Sequence, residues 1–298
     1  MTATLLVTGG TGQVAVALEA AARERDILRV GRPAFDFDRP ESLEETFEDA
    51  SPALVINAAA YTAVDTAETD AEAAARANHA GPARLAALCA AAGVPLIHIS
   101  TDYVFNGDKG APYVETDPTA PQGVYGATKL AGEQAVLDSG ARAVILRTSW
   151  VYAPAGRNFV RTMLNAGRTR DVLRVVADQK GCPTTAIDLA AAILAISDRI
   201  LAEGWQDAFG GVFHAAGSGE TTWHGLACAT FATAAARAPG TKIPTVEAIA
   251  TADWPTPAKR PADSRLDCTK MEQVFGLRLP PWQDGLARTI AAMETFPG

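Results

Sequence analysis

The sequence predicts an α/β fold: a Rossmann-type, doubly wound parallel sheet joined to a smaller mixed α/β unit that binds substrate. Three observations carry this. Short apolar runs alternate with longer helical patterns through the first half, a glycine turn follows the first run, and beyond about residue 150 the chain becomes helical segments punctuated by proline. In order, the runs at 4–7, 27–30, 54–57, 96–100 and 144–148 are too short for helices and almost continuously apolar, as strands covered on both faces are. Between them lie helical patterns at 11–22, 40–50, 70–92 and 125–139. Gly93-Val94-Pro95 supplies a C-cap glycine with a proline just beyond. Further helical patterns at 157–169, 184–203 and 222–237 precede a stretch marked by Pro244, Pro255, Pro257, Pro261, Pro280 and Pro281. The expected division is a dinucleotide-binding unit over 1–150 and a mainly substrate-binding unit over 151–298, with a soft boundary that later segments can re-cross. The second unit is expected on the open edge of the sheet, with a cleft at the carboxyl ends of the strands.

Composition narrows the function. The chain has 298 residues, 48% apolar and 20% charged, which is ordinary for a folded protein and long enough for a substantial core. Its 34 acids against 26 Lys and Arg give a net charge of −8, so attraction to nucleic acid or an anionic membrane is disfavoured. Cys89, Cys182, Cys228 and Cys268 form no C-x-x-C pair and read as reduced thiols of a cytoplasmic protein. The N-terminus lacks a basic region followed by an apolar core, and no uncharged run of 18 strongly apolar residues occurs, which argues against a signal peptide and a membrane span.

The motif Val7-Thr8-Gly9-Gly10-Thr11-Gly12-Gln13-Val14-Ala15 closes a strand and opens a helix. In that setting glycines allow a tight turn and bring backbone amides close to a pyrophosphate at a helix N-terminus. Arg32 lies where an NAD site usually carries an acid, and a guanidinium there suits a 2′-phosphate, favouring NADPH over NADH. Asp36 is better placed for the adenine amino group. The run Ile99-Ser100-Thr101-Asp102-Tyr103 ends a strand, and Tyr125 and Lys129 share a helix face at a spacing of four. A cation beside a phenol is expected to pull its pKa from about 10 toward neutrality, making a proton donor that works near pH 7.

Together, T-G-G-T-G-Q, Asn57 to Asp65, Ser100-Thr101-Asp102-Tyr103-Val104-Phe105, Tyr125-Gly126-x-x-Lys129-Leu130-x-Gly132-Glu133, Arg147 to Tyr152 and Arg260-Pro261-x-x-Ser264-Arg265-Leu266 resemble the dTDP-4-dehydrorhamnose reductase family of extended short-chain dehydrogenases, over about residues 5–290. The resemblance implies Thr101, Tyr125 and Lys129 as the catalytic set and NADPH as hydride donor to C4 of a nucleotide-linked 4-ketosugar. It implies cofactor contacts from Gly9, Gly12, Gln13, Val14, Arg32, Asp36, Phe37, Ala58, Ala59, Ala60, Tyr125 and Lys129. Substrate contacts would come from Thr62, Val64, Thr101, Tyr103, Tyr125 and Trp150, with Asn158 and Arg260 toward the diphosphate. Some members of the family hold Mg²⁺ at a dimer interface through glutamates, at positions that here are Ala17 and Ile187. No metal is therefore expected; a homodimer stays open, but not a metal-bridged one.

Rival functions remain on the same fold. A 4,6-dehydratase needs a carboxylate where Tyr103 stands. An epimerase shares the Tyr and Lys but regenerates its cofactor within each cycle, and a reductase-like regulatory subunit would bind partners without turnover. His98 and His214 read as core or strand-end histidines, and His79 and His224 have no metal-ligand spacing. Cys182 has no neighbouring base to make it a nucleophile.

Overall fold

The structure, a computed structural model, describes residues 3–293. In the first half β1 (Leu5–Thr8), β2 (Ile27–Val30), β3 (Leu54–Asn57), β4 (Leu96–Thr101) and β5 (Ala143–Thr148) alternate with α1 (Gln13–Ala20), α2 (Pro40–Ala50), α3 (Val64–Ala67), α4 (Ala71–Ala75), α5 (Gly81–Ala92) and α6 (Val124–Asp138). The second half contains β6 (Val151–Tyr152), α7 (Phe159–Thr169), β7 (Val172–Val176), β8 (Lys180–Gly181), β9 (Thr184–Thr185), α8 (Ala186–Glu203), β10 (Gly211–His214), β11 (Thr221–Thr222), α9 (Trp223–Arg237), β12 (Thr245–Ile249), α10 (Thr269–Phe275) and α11 (Trp282–Ala291). Among the described residues no helix is long and apolar enough to cross a membrane.

The main sheet runs β10-β5-β4-β3-β1-β2 with every neighbouring pair parallel. Continuous burial of β1, β3 and β5 explains their unbroken apolar character, since helices cover both faces. The chain winds one way through β2 and the other way through β4, so a crevice opens outside the carboxyl ends between β1 and β3. The first strand includes Thr8 and begins after Thr4, which sets Thr8 in register with Asn57, and Asn57 with His98.

Segments from the second half complete this layer. The edge beside β5, which the sequence leaves free for a substrate-binding unit, is taken by β10, whose Phe213 is fully buried. Helix α8 packs on α1, and Leu18, Leu54, Ile97, Leu146, Leu189 and Ile193 share one core. A second core from α7, β7, α9 and α11 contains Val160, Leu164, Leu173, Phe231, Leu286 and Ile290. Burying each such side chain contributes about 1.5–3 kcal/mol.

The helix expected over 70–92 is interrupted. Arg76–Ala80 forms a π-helical segment between α4 and α5. Pro82 has no N–H to give the Asn78 carbonyl, its α-helical partner four residues earlier. That carbonyl instead faces Gly132 of α6, where an added Cβ would lie 2.0 Å from it. The bulge also turns the Asn78 amide inward: it accepts from Tyr61 N at 2.8 Å and donates to Tyr61 O at 3.1 Å and Thr128 Oγ1 at 3.2 Å. An irregular turn thus ties the loop after β3 to the helix that carries Tyr125 and Lys129.

Candidate active site

The glycine turn has the shape its composition implies. Gly9 and Gly10 sit at φ +110° and +53°, and a Cβ on Gly9 would lie 2.8 Å from the Ala58 carbonyl. Only glycine allows both the left-handed backbone and this approach. Gly12 caps α1 without a side-chain acceptor, so the first amides of the helix, with Gln13 and Val14, face the crevice unsatisfied by the chain itself. Beneath them Thr8 Oγ1 donates to Asn57 Oδ1 at 2.6 Å and accepts from Ala59 N at 3.3 Å. Asn57 Nδ2 meets His98 Nδ1 at 3.0 Å, and because Asn57 Oδ1 is an acceptor its amide must be the donor there. His98 is thereby fixed as the Nε2–H tautomer, and burial beside Lys129 keeps it neutral. This row anchors the loop of Ala58, Ala59 and Ala60, all partly accessible along the crevice.

Farther out, the Arg32 side chain is 65% exposed and paired with Asp36 at 2.8 Å and Asp38 at 2.7 Å. Asp36 takes Arg32 and the Asp38 amide on Oδ1 alone, so its Oδ2 is still open to a donor such as an adenine amine. Phe37 lies against Gly81 and packs edge-on to Phe35. These residues fit a pyridine dinucleotide: the Gly9–Ala58 approach is a cradle that any Cβ would fill, and the cation stands at the second strand's end.

The chemical groups converge where β4 ends. Thr101 closes the strand, and its Oγ1 accepts from Tyr103 N at 3.2 Å and donates to Asp102 Oδ1 at 3.1 Å. Tyr125, in the first turn of α6, sets its ring 5.7 Å from Tyr103 in an edge-on contact. Val64, Tyr103 and Tyr125 line one small recess; Thr62, two residues before Val64, is exposed and is not part of its lining. Lys129, 2% exposed, donates from Nζ to the Ile99 carbonyl at 2.7 Å.

The expected acidification of Tyr125 does not occur in this state. Burial pushes its phenol up to about 12, with Thr101 opposing as a hydrogen-bond partner. The physical reason is that lost hydration outweighs a cation that is turned to a backbone carbonyl and is itself lowered to about 8 by burial. At neutral pH the phenol keeps its proton and remains a donor.

Beside this edge lies a cleft of about 420 Å³ bounded by Tyr103, Phe159, Met163, Arg174, Trp223 and Arg260. Arg260 reaches it with its fork already on Asp65, at 3.0 and 2.8 Å. Trp150, at φ +49°, stacks on Trp223 at 3.6 Å between ring centres, and Gly181 leaves room for its indole. Trp223 Nε1 donates to Gln179 Oε1 at 3.1 Å.

Asn158 is not brought to the cleft as a free donor. At 8% exposed, it caps α7 through Arg161 N and gives its amide to Ala153 O at 2.9 Å and Gln13 Oε1 at 3.1 Å. Sequence reasoning missed Trp223, Gln179, Arg174, Phe159 and Met163, which no local motif marks. Asp65 and Asp102 lay inside motifs that were quoted for other residues. Ala17 packs against the main core, Ile187 in the first turn of α8 has no ligand atom, and Glu19 is drawn to Arg29 at 3.0 Å. That donor set does not fit magnesium.

A glycine turn at the switch point of a parallel sheet, with Thr, Tyr and Lys at its carboxyl edge, places the molecule in the short-chain dehydrogenase/reductase class. The family model described as RmlD substrate binding domain matches residues 3–295. A dTDP-4-dehydrorhamnose reductase of Sinorhizobium fredii is 46% identical over 290 residues, 97% of each chain. That of Escherichia coli K12 is 40% identical over 98% of each chain. The crystal structure of dTDP-4-dehydrorhamnose reductase from Bacillus anthracis in complex with NADP matches with a TM-score of 0.88 at 32% identity, covering 98% of this chain and 99% of that one. The chain belongs to the dTDP-4-dehydrorhamnose reductase family.

Proposed function

We propose that the protein reduces the C4 keto group of dTDP-4-dehydro-L-rhamnose to give dTDP-L-rhamnose, using NADPH. The observation that carries this reading is the meeting of Thr101 and Tyr125, a hydroxyl and a protonated phenol, at the carboxyl edge shared with the glycine turn. NADPH supplies the hydride to C4. Gly9, Gly12, Gln13 and Val14 hold its pyrophosphate, Arg32 its 2′-phosphate, Phe37 and Ala58 to Ala60 its adenosine side, and Lys129 its nicotinamide ribose. Tyr125 gives its proton to the C4 oxygen as negative charge develops there, and Thr101 orients that oxygen. Thr62, Val64, Tyr103 and Trp150 border the sugar. The aromatic cleft with Arg174 and Arg260 suits the nucleoside diphosphate of an acidic protein's anionic substrate.

The test is direct. Incubation with NADPH and the ketosugar should oxidise one cofactor per sugar reduced and give dTDP-L-rhamnose as product. Sugar conversion without net NADPH loss would point to an epimerase, and no conversion would reject the reading. In the same assay Arg32→Ala should raise the KM for NADPH about fivefold and leave that for NADH unchanged. An exposed guanidinium shared with two carboxylates is worth on the order of 1 kcal/mol. Equal effects on both cofactors would remove Arg32 from the 2′-phosphate site.

A further inference from the structure

A threonine hydroxyl has one proton and two lone pairs. In Thr101 one lone pair is taken by Tyr103 N–H and the proton points inward to Asp102 Oδ1. So arranged, Thr101 has only a lone pair left for Tyr125, its other hydrogen-bond partner, and for the cleft. That lone pair repels a carbonyl oxygen and competes for the phenol proton of Tyr125. Turning that proton out to a substrate while Asp102 is ionised costs the buried carboxylate a hydrogen bond, and protonation of Asp102 removes that cost.

Asp102 is placed to hold a proton. It is 2% exposed, its Oδ2 accepts from Ser149 Oγ at 3.1 Å, and the Ser264 hydroxyl bonds to it as well. The titratable groups facing it are Tyr103 from its own turn, Tyr125 from α6 and Cys182 from the turn between β8 and β9, none of them a cation. Resting on the reductase reading, we propose that Asp102 is a positioning residue whose carboxyl proton sets the direction of the Thr101 hydroxyl. Ionised, Asp102 draws the Thr101 proton inward. Protonated, its own O–H donates to the second Thr101 lone pair, and the Thr101 proton turns out to the substrate oxygen. No covalent bond changes. Burial moves the Asp102 carboxyl up to about 6, so both forms are accessible near neutrality.

The experiment measures single-turnover reduction of dTDP-4-dehydro-L-rhamnose by saturating NADPH from about pH 5 to about pH 8. The wild-type rate should fall at least tenfold across this range, as loss of one proton near pH 6 requires. Asp102→Asn, whose amide donates to Thr101 at every pH, should keep the acid-side rate and lose that step. A step that persists in Asp102→Asn overturns the assignment. If that variant melts before assay, Thr101→Val serves instead: it keeps the carboxyl but removes the hydroxyl through which Asp102 acts. Its residual rate should be flat over the same range, and a retained step overturns the proposal. A wild type that oxidises no NADPH at any pH counts against the reductase reading itself; turnover with an unaltered profile in the variants counts against Asp102 alone.

Discussion

Tyr125→Phe should lower turnover by about 10²–10⁴-fold, the usual contribution of a positioned proton donor, while NADPH affinity stays within about twofold. The phenol oxygen is the group removed; the ring that packs edge-on against Tyr103 is kept, so the recess should retain its shape. The loss should fall on kcat and on kcat/KM alike, because the missing hydrogen bond strengthens only as charge builds on the sugar oxygen. Steady-state kinetics with a separate cofactor titration decides it. A loss under about tenfold would mean that another group delivers the proton, and no loss at all would favour a binding module over an enzyme.

The second large effect is on stability. Glu133, one helical turn beyond Lys129, accepts from Arg147 Nε and Nη2 and from Ser100 Oγ, with Arg147 Nη2 at 2.6 Å and Ser100 at 2.5 Å. The two charged side chains are 2% and 5% exposed, and the Arg147 guanidinium also lies over the Phe105 ring. Glu133→Ala leaves a buried cation without a counter-charge and opens a void, which should cost about 3–5 kcal/mol. For a chain of this size that lowers the melting temperature by about 10 °C. Replacing both partners, Glu133→Leu with Arg147→Met, should recover much of the loss, because a buried pair stabilises little relative to apolar residues that fill the same space. Calorimetry on the two variants checks this; a Glu133→Ala melting point within about 2 °C of wild type would show that water reaches Arg147.

Much of this fold is legible in the sequence, for an identifiable reason. Strands buried on both faces are apolar throughout, so β1, β3 and β5 stand out, while the half-exposed edge strand β2 and the buried β3 match to the residue. The glycine turn, Thr101, Tyr125 and Lys129 are legible because each lies at a strand end or on one helix face, where local spacing sets position. What the sequence hides depends on distant partners. The β6–β9 and β8–β11 pairs are two residues long, too short for any periodicity. Trp150 on Trp223, and Arg260 on Asp65, are contacts that only the folded chain creates. Spacing places Tyr125 and Lys129 on one helix face without saying how much water reaches them, or that the Lys129 ammonium ends on the Ile99 carbonyl.

The β10 strand, described above as the neighbour of β5, bears on how the molecule comes into being. A nascent polypeptide that has emerged only through β5 presents that strand's amides and carbonyls to its surroundings, and the hydrophobic side of α1 waits for α8. Closure of the nucleotide-binding layer is thus deferred until residue 214 has left the ribosome. Until then the emerging product is prone to self-association, and a gene fragment cut at the apparent boundary near residue 150 would express that vulnerability permanently.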